Sequence, residues 1–303
     1  MYEIVITNGR MLLESALHQF RQIAPFWFFG LIAGSLVSVY LSDKITGKMA
    51  RLATGSFWLI PLCLASFLGI VSPLCMYGTI PIIAALGKKG VPQHILAAFM
   101  ISSILLNPNI MLFSFALGTG IALTRLGLSF FGGVLAGILV YLFFRNKELF
   151  SFERFTPKQD LPQQNCQSAH KRFFPNLFKA FRITAPYLLF GLILTAVFDR
   201  YIPPDWISAM FGAKRGLGVL FAASLSVPLY ACGGGTIPLI NAWLHAGMST
   251  GDVMTFMLAG PTVKINNLSA VKMIFSAKNF FLYLAYCLTF AILCGIIIGI
   301  IGV

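Results

Sequence analysis

The amino-acid sequence predicts an all-α fold, a polytopic helical membrane protein with roughly eight to ten transmembrane segments. Of its 303 residues, 58% are hydrophobic and only 10% are charged. An ordinary soluble domain carries about 25% charged residues, so a soluble fold of this composition could not cover its own surface. A bilayer removes that problem because lipid solvates apolar side chains. An internal repeat further predicts two homologous halves with broken or re-entrant helices.

The first predicted half, residues 1–145, alternates apolar stretches with short polar turns. The apolar stretches cover residues 23–41, 57–74, 95–123 and 128–144. Two interruptions contain residues that end helices: one at 72–81 with two prolines, and one at 107–109 with the sequence Asn-Pro-Asn. These interruptions predict broken helices inside the membrane.

A basic linker, residues 146–180, separates the two halves. Between Arg145 and Arg182 there are eight Lys and Arg residues against three acids. Lys and Arg gather in cytoplasmic loops, which predicts a multi-pass protein of the bacterial cytoplasmic (inner) membrane with this linker inside the cell. The formal net charge of +13 has the same explanation. Nucleic-acid binding is not expected, because no separate basic domain is long enough to fold.

The second predicted half, residues 181–303, repeats the plan of the first. Its interruptions fall at 230–238 and 260–267. A shift of 157 residues places Cys75 on Cys232 and the sequence Gly-Thr-Ile-Pro at 78–81 on the same four residues at 235–238. From Cys75 to Asn109, 11 of 35 positions are identical under this shift. Shared hydrophobic composition does not easily produce such a motif, so we predict a duplication.

The four interruptions predict a central site shared by both halves. Unpaired backbone groups cannot face lipid, so broken helices must face protein or a water-filled cavity. Their freed N–H and C=O groups, and the dipoles of the helix ends, can then bind a solute. The candidate solute-binding residues are Cys75, Thr79, Pro81, Asn109, Cys232, Gly233, Gly234, Thr236, Pro238, Lys264 and Asn266.

The residues around the second-half interruption also point to a family. The run Val-Pro-Leu-Tyr-Ala-Cys-Gly-Gly-Gly-Thr-Ile-Pro-Leu at 227–239 is followed by Leu-Ala-Gly-Pro at 258–261 and by Asn266. Together with Ser-Pro-Leu-Cys at 72–75, it resembles the ArsP-type permease family over most of the chain. The resemblance implies a membrane efflux permease, and the best-understood members export trivalent organoarsenicals such as methylarsenite. Many relatives carry a Cys-Ser-Cys cluster at this break, whereas each half here has a single cysteine.

The two repeated cysteines, Cys75 and Cys232, are the candidate metalloid ligands. Trivalent arsenic is thiophilic, and soft ligands favour soft metals and metalloids. Two thiolates at a pseudo-symmetric site near the membrane midplane could bind one monosubstituted arsenical. The alternative is that each cysteine is a small buried filler, which is the reading we favour for Cys287 and Cys294.

Polar residues at the second interruption of each half have two interpretations. Lys264 lies in an apolar region, where an ionisable residue indicates function, such as carrying a coupling proton. It could instead lie near an interface and reach water. The amides at Asn109 and Asn266 could line a pathway or satisfy freed backbone groups. The glycines at 233–235 permit close approach of a solute or tight helix packing.

The predicted function is a secondary efflux permease that is coupled to protons, and not an enzyme. No Walker-type glycine loop or hydrolase motif is present in the sequence. Alternatives are a permease for another soft metal ion or small solute, and a channel-like pore. The expected partners are a small-molecule or metalloid substrate and the lipid bilayer, with a homo-oligomer left open and no cofactor. Two topologies also stay open: five crossings per half as inverted repeats, or four with re-entrant breaks as parallel repeats.

Overall fold

The computed structural model describes residues 58–74, 76–145, 147–152, 173–179, 218–230 and 248–301, with isolated positions in 14–36, 181–189 and 240–244. Every regular element in these residues is helical, which confirms the predicted all-α class. The helices are α1 (Leu59–Val71), α2 (Met76–Lys88), α3 (Gln93–Leu105), α4 (Pro108–Phe115), α5 (Thr119–Phe143), α6 (Gly218–Leu229), α7 (Thr250–Val263), α8 (Ile265–Val271) and α9 (Ala277–Ile301).

Two helices in the described residues, α5 and α9, are long and apolar enough to cross a membrane, at 25 residues each. At 1.5 Å per residue each is about 37 Å long, more than the roughly 30 Å of a hydrocarbon core. The 13-residue helices α1, α2 and α3 are too short to span alone, at about 20 Å each. Each therefore has to end inside the bilayer or continue through a break.

The interfaces between helices are built on small residues. An added Cβ on Gly133 of α5 would overlap Ser66 of α1 and Ser102 of α3. An added Cβ on Gly251 of α7 would overlap the backbone of Gly295 in α9. Small residues allow the backbones of membrane helices to approach closely, which is how such bundles pack without a hydrophobic driving force. Helices α1, α3 and α5 thus form one packed group, and α6, α7 and α9 form another.

The two long helices run in opposite directions. Asn279, near the start of α9, donates from Nδ2 to the carbonyl of Leu149 at 2.7 Å, just beyond the end of α5. Deeper in the bundle, the Tyr286 hydroxyl of α9 donates to the carbonyl of Gly132 near the middle of α5. The end of α5 therefore lies beside the start of α9. We call this the linker end, because the linker begins there, and the opposite end the far end.

Helices α1 and α2 form a hairpin that enters and leaves at the linker end. Trp58, directly before α1, stacks on Tyr141 near the end of α5, with ring centroids 4.5 Å apart. Further along α1, the Ser66 hydroxyl donates to the Phe130 carbonyl at 2.9 Å, about 20 Å from the end of α5. Helix α2 then returns, and Gly87 near its end contacts the Phe152 ring of the linker. The hairpin is thus re-entrant.

The second interruption of the first half divides a crossing helix. Helix α3 begins at the linker end, where the Gln93 side chain accepts a hydrogen bond from the Leu149 N–H at 2.6 Å. It ends at Leu105, and α4 continues from Pro108 to the far end, where α5 begins. One interruption of this half is therefore re-entrant and the other lies within a crossing segment. This combination differs from both topologies that the sequence suggested.

The helices after the linker run in the opposite direction to the helices that occupy the equivalent positions before it. The starts of α3 and α7 are 157 residues apart, as are those of α4 and α8, and the starts of α5 and α9 are 158 apart. Helix α7 begins beside the end of α9, because Gly251 contacts Gly295, so it starts at the far end. Helix α6 also starts there, since Gly218 contacts Asp252. Helix α3, by contrast, starts at the linker end.

Candidate functional site

The structure describes only part of the predicted site. Thr79, Pro81, Lys264 and Asn266 lie in the described residues, and so does the backbone of Asn109 in α4. The others lie outside the described residues: Cys75, Cys232, Gly233, Gly234, Thr236 and Pro238. The neighbours of Cys75 are described, and Leu74 and Met76 are both buried. The role of the two cysteines as metalloid ligands therefore stays a prediction.

The start of α2 meets the start of α8 in the protein interior. The Tyr77 hydroxyl donates to the Asn266 carbonyl at 2.8 Å and lies 2.7 Å from the Ser269 hydroxyl. Tyr77 and Asn266 are each 1% exposed. The predicted site residue Asn266 is thereby joined to the re-entrant hairpin of the other part of the chain. Sequence reasoning missed Tyr77, although a tyrosine inside an interrupted apolar stretch is a signal that a hydroxyl needs a buried partner.

The predicted break at 72–81 is shorter in the structure. Helix α1 ends at Val71 and α2 begins at Met76, so Thr79 and Pro81 are helical. The Thr79 hydroxyl lies 3.3 Å from the Ser103 hydroxyl of α3, and both side chains are buried. Pro81 has no N–H and removes the usual helical donor for the carbonyl four residues earlier, that of Tyr77. Pro81 therefore loosens the first turn of α2 without ending the helix.

The predicted break at 107–109 is confirmed as a helix interruption. Asn107 has an extended backbone and caps α4, its side chain accepting a hydrogen bond from the Ile110 N–H at 3.0 Å. Its Nδ2 donates to the Leu74 carbonyl at 3.3 Å, at the tip of the re-entrant hairpin. At the other interruption, Asn267 donates to the Pro261 carbonyl. Amide side chains at both interruptions thus satisfy freed backbone groups.

Lys264 lies at the junction of α7 and α8. The predicted break at 260–267 narrows to this residue, because α7 continues through Gly260 and Pro261 to Val263. The backbone N–H of Lys264 still donates to the Gly260 carbonyl at 3.0 Å. Its side chain is only 2% exposed. The lysine is therefore enclosed by protein, which does not agree with the alternative that it reaches water at an interface.

Arg125 is a second enclosed cation, and sequence reasoning misplaced it. The sequence divided the apolar stretches between residues 123 and 128, which put Arg125 in a turn. The structure places the turn earlier, at 116–118, and Arg125 in the second turn of α5 with 1% exposure. A lone charge within 25 otherwise uncharged residues was the available signal.

The guanidinium of Arg125 connects four segments of the fold. It donates to the Ser114 hydroxyl of α4 at 2.9 Å, the Met257 carbonyl of α7 at 2.7 Å and the Tyr230 hydroxyl after α6 at 3.2 Å. Met257 lies four residues before Pro261, which has no N–H to donate to it. The arginine therefore satisfies a carbonyl that the proline leaves without its helical donor.

The linker end contains a cavity with a volume of about 600 Å³. Its lining includes His94 at the start of α3, Tyr141 near the end of α5, and Arg145 and Glu148 beyond it. His94 is buried against the edge of the Tyr141 ring. The first linker residues bound the cavity. They are also joined to the part of the chain after the linker, because the Ser151 N–H donates to the Ile274 carbonyl at 2.8 Å.

The two described cysteines of α9 are core residues. Cys287 and Cys294 are 3% and 6% exposed and lie in the main hydrophobic cluster. Their burial on one side of the helix is consistent with the filler role that the sequence suggested for them.

Comparison with known proteins agrees with this architecture. A family model described as "Predicted permease", of the ArsP type, matches residues 11–300. A Streptococcus mutans protein, whose name describes a proposed subunit of a two-component membrane permease complex, is 25% identical over 270 residues, covering 84% of this chain and 83% of the relative. The UPF0718 protein YcgR of Bacillus subtilis is 24% identical over 272 residues, covering 86% and 88%. No solved structure matches the chain. The helical architecture and the match over nearly the whole length lead to one conclusion: the chain belongs to the ArsP-type family of predicted membrane permeases.

Proposed function

We propose that this membrane permease is a secondary transporter that exports trivalent organoarsenicals such as methylarsenite, coupled to protons, from the cytoplasm across the bacterial inner membrane. The observation that carries the proposal is the meeting of a re-entrant hairpin and an interrupted helix at Tyr77 and Asn266, both buried. Interrupted helices at membrane depth supply backbone groups and helix ends to a solute. Such a meeting point supports transport better than a structural role alone.

The opposite orientations of α3 and α7, and of α5 and α9, support an inverted repeat. We take the two halves, 1–145 and 181–303, as homologous, with the residues 146–180 between them as the cytoplasmic linker. Inverted halves give a permease two related conformations, open to either side of the membrane. The basic residues at the linker end, which include Lys272 and Lys278, fit the cytoplasmic side.

Cys75 and Cys232 are the proposed ligands of the arsenical in this function. Each occupies the same position relative to a Gly-Thr-Ile-Pro sequence, 157 residues apart. Thiolates are suitable ligands for a soft metalloid, whereas the polar side chains at the breaks are suitable ligands for harder ions. Lys264 is the proposed carrier of the coupling proton, because it is an enclosed ionisable residue at a helix interruption.

The test is arsenic accumulation in a metal-sensitive bacterial strain exposed to methylarsenite. The wild-type chain should lower intracellular arsenic several-fold relative to empty vector. Cys75→Ser and Cys232→Ser should each abolish this effect at unchanged protein level. Cys294→Ser is the matched control, since that thiol is buried in α9 and should leave export intact.

Two other results would redirect the proposal. Export that survives both serine substitutions would keep the permease and remove the cysteines from its site. Equal accumulation in the wild type and the empty vector would reject the arsenical and favour another soft metal ion or small solute. A channel-like pore would show flux that neither saturates nor responds to a proton gradient, whereas a carrier shows both properties.

The S. mutans relative suggests a second subunit as a partner. Its name describes a two-component complex, and the present chain covers most of its length. We include a partner subunit in the proposal, with a homo-oligomer as the alternative. Cross-linking the full chain in its native membrane would distinguish a heteromeric product from a product twice the mass of this chain.

A further inference from the structure

Among the described residues, no acid pairs with the enclosed Arg125. The described part of the chain contains three acids, and none lies within hydrogen-bonding distance of its guanidinium. Glu14 is exposed, Asp252 contacts Gly218 at the far end, and Glu148 lies beside the cavity at the linker end. The groups that accept from Arg125 are two hydroxyls and one carbonyl, all neutral. Its Nε is buried and has no partner among the described residues.

An arrangement of this kind is energetically costly when the protein is empty. A guanidinium is a permanent cation, and removal of a cation from water is repaid only by an opposite charge in good geometry. Neutral hydroxyls orient the group and satisfy part of its donor capacity, but they supply no charge. If Arg125 served only to join helices, a neutral amide would make similar hydrogen bonds at lower cost.

Arg125 also lies at the contact between the two parts of the chain. It belongs to α5 and contacts Ser114 of α4, both before the linker. After the linker it contacts Tyr230 and Met257 of α7. Tyr230 directly follows α6, and its ring fits against Gly260, where an added Cβ would overlap it. The guanidinium thus lies where the two parts of the chain meet and beside the helix that ends at Lys264, a second buried cation.

We propose that Arg125 is the binding site for a small anion. The anion supplies the missing charge and accepts hydrogen bonds from the guanidinium and from the Tyr230 hydroxyl, while the Ser114 hydroxyl keeps its bond to the Ile110 carbonyl. This inference rests on the proposed permease function, because it assigns an anion to the transport cycle. The anion is either an ionised group of the solute or a separate inorganic ion that accompanies it.

The first experiment measures binding without transport. The purified full chain is melted while sodium gluconate is replaced by sodium chloride or sodium acetate at constant ionic strength. We expect a saturable rise in melting temperature, of roughly 5 °C when the anion is in hundredfold excess over its dissociation constant. Arg125→Lys should retain the charge and weaken the response, because the planar fork of donors is lost.

The decisive variant is Ser114→Asp. The Ser114 hydroxyl lies 2.9 Å from Nη1 of Arg125, so an aspartate there places an internal carboxylate against the guanidinium. We expect this variant to melt at a higher temperature than the wild type in gluconate and to lose the response to chloride and acetate. Lys278→Gln, an exposed charge at the start of α9, is the control and should respond like the wild type.

The outcomes separate the two sources of the anion and the two proposals. No saturable response in the wild type, or an equal response in Ser114→Asp, overturns the anion site. In proteoliposomes, chloride that accelerates methylarsenite export identifies an accompanying ion, and chloride that inhibits it identifies an ionised group of the solute. Binding with no effect on export overturns the role in transport. If methylarsenite is not exported at all, the proposed function fails and the melting experiment still decides the anion site.

Discussion

The two interrupted helices, α3–α4 and α7–α8, are interrupted at equivalent positions of the repeat and differ in chemistry. Their junction residues, Asn107 and Lys264, are 157 positions apart, and each precedes a short helix. Asn107 is a neutral cap that satisfies backbone groups of α4 and of the re-entrant hairpin. Lys264 makes no side-chain cap to α8 and is an enclosed cation instead. The difference fits the proposed function, in which one interruption stabilises the fold and the other carries the coupling proton.

Lys264→Met should have the largest effect on this comparison. It retains the length and apolar stem of the side chain and removes the charge. We expect export to fall by about tenfold or more, equivalent to ~1.4 kcal/mol or more, with little loss of folded protein. The measurement is methylarsenite transport by the protein in proteoliposomes under an imposed proton gradient. Lys264→Arg is a second test, because arginine keeps the positive charge and does not release its proton. Restored export would show that the charge is needed and that proton release is not.

Tyr77→Phe should come next, and it tests the contact between the two parts of the chain. The substitution removes one of two hydroxyl donors to the buried Asn266 carbonyl, since Ser269 also donates to it at 2.6 Å. We expect a cost of about 0.5–1.5 kcal/mol, that of one ordinary hydrogen bond. We expect a lower melting temperature for the detergent-purified protein. An unchanged melting temperature and unchanged export together would mean that this contact does not join the hairpin to α8 in the folded protein.

Asn107→Ala should have the smallest effect. Loss of an N-cap side chain costs about 1 kcal/mol, and the hairpin loses its bond at Leu74. Export measured per folded molecule should stay near the wild-type value, in contrast to Lys264→Met. If Asn107→Ala instead stopped export while the protein stayed folded, the division between a structural and a specialised interruption would be wrong.

The sequence predicted the class and the approximate positions of the helix breaks. Composition is sufficient for the membrane class, and the Asn-Pro-Asn sequence at 107–109 predicts a helix stop because proline fits the first turn of a helix. Pro81 and Pro261 were misleading, since both lie inside helices. A proline is tolerated there when a neighbour satisfies the freed carbonyl, as Arg125 does for Met257.

The contacts at the candidate site were harder to predict, because they join residues that are distant in the chain. Tyr77 and Asn266 are separated by 189 residues, and Arg125 and Met257 by 132. Periodicity and local motifs describe neighbours along one helix and carry no information about such pairs. An arginine in an apolar stretch also has two local interpretations, a turn or an enclosed charge, and only the packing of α5 against α4 and α7 decides between them.

The short hairpin of α1 and α2 has a consequence for how the chain is synthesised. Each helix has 13 residues, too few to be recognised as a membrane span during insertion. The partner of Tyr77 is made 189 residues later, by which time the ribosome has completed most of the polypeptide. The packing of α1 on α3 and α5 can form as soon as those helices are made, whereas the Tyr77 contact can form only after α8 has been translated. Biogenesis of the N-terminal part is then completed only after the C-terminal part is made.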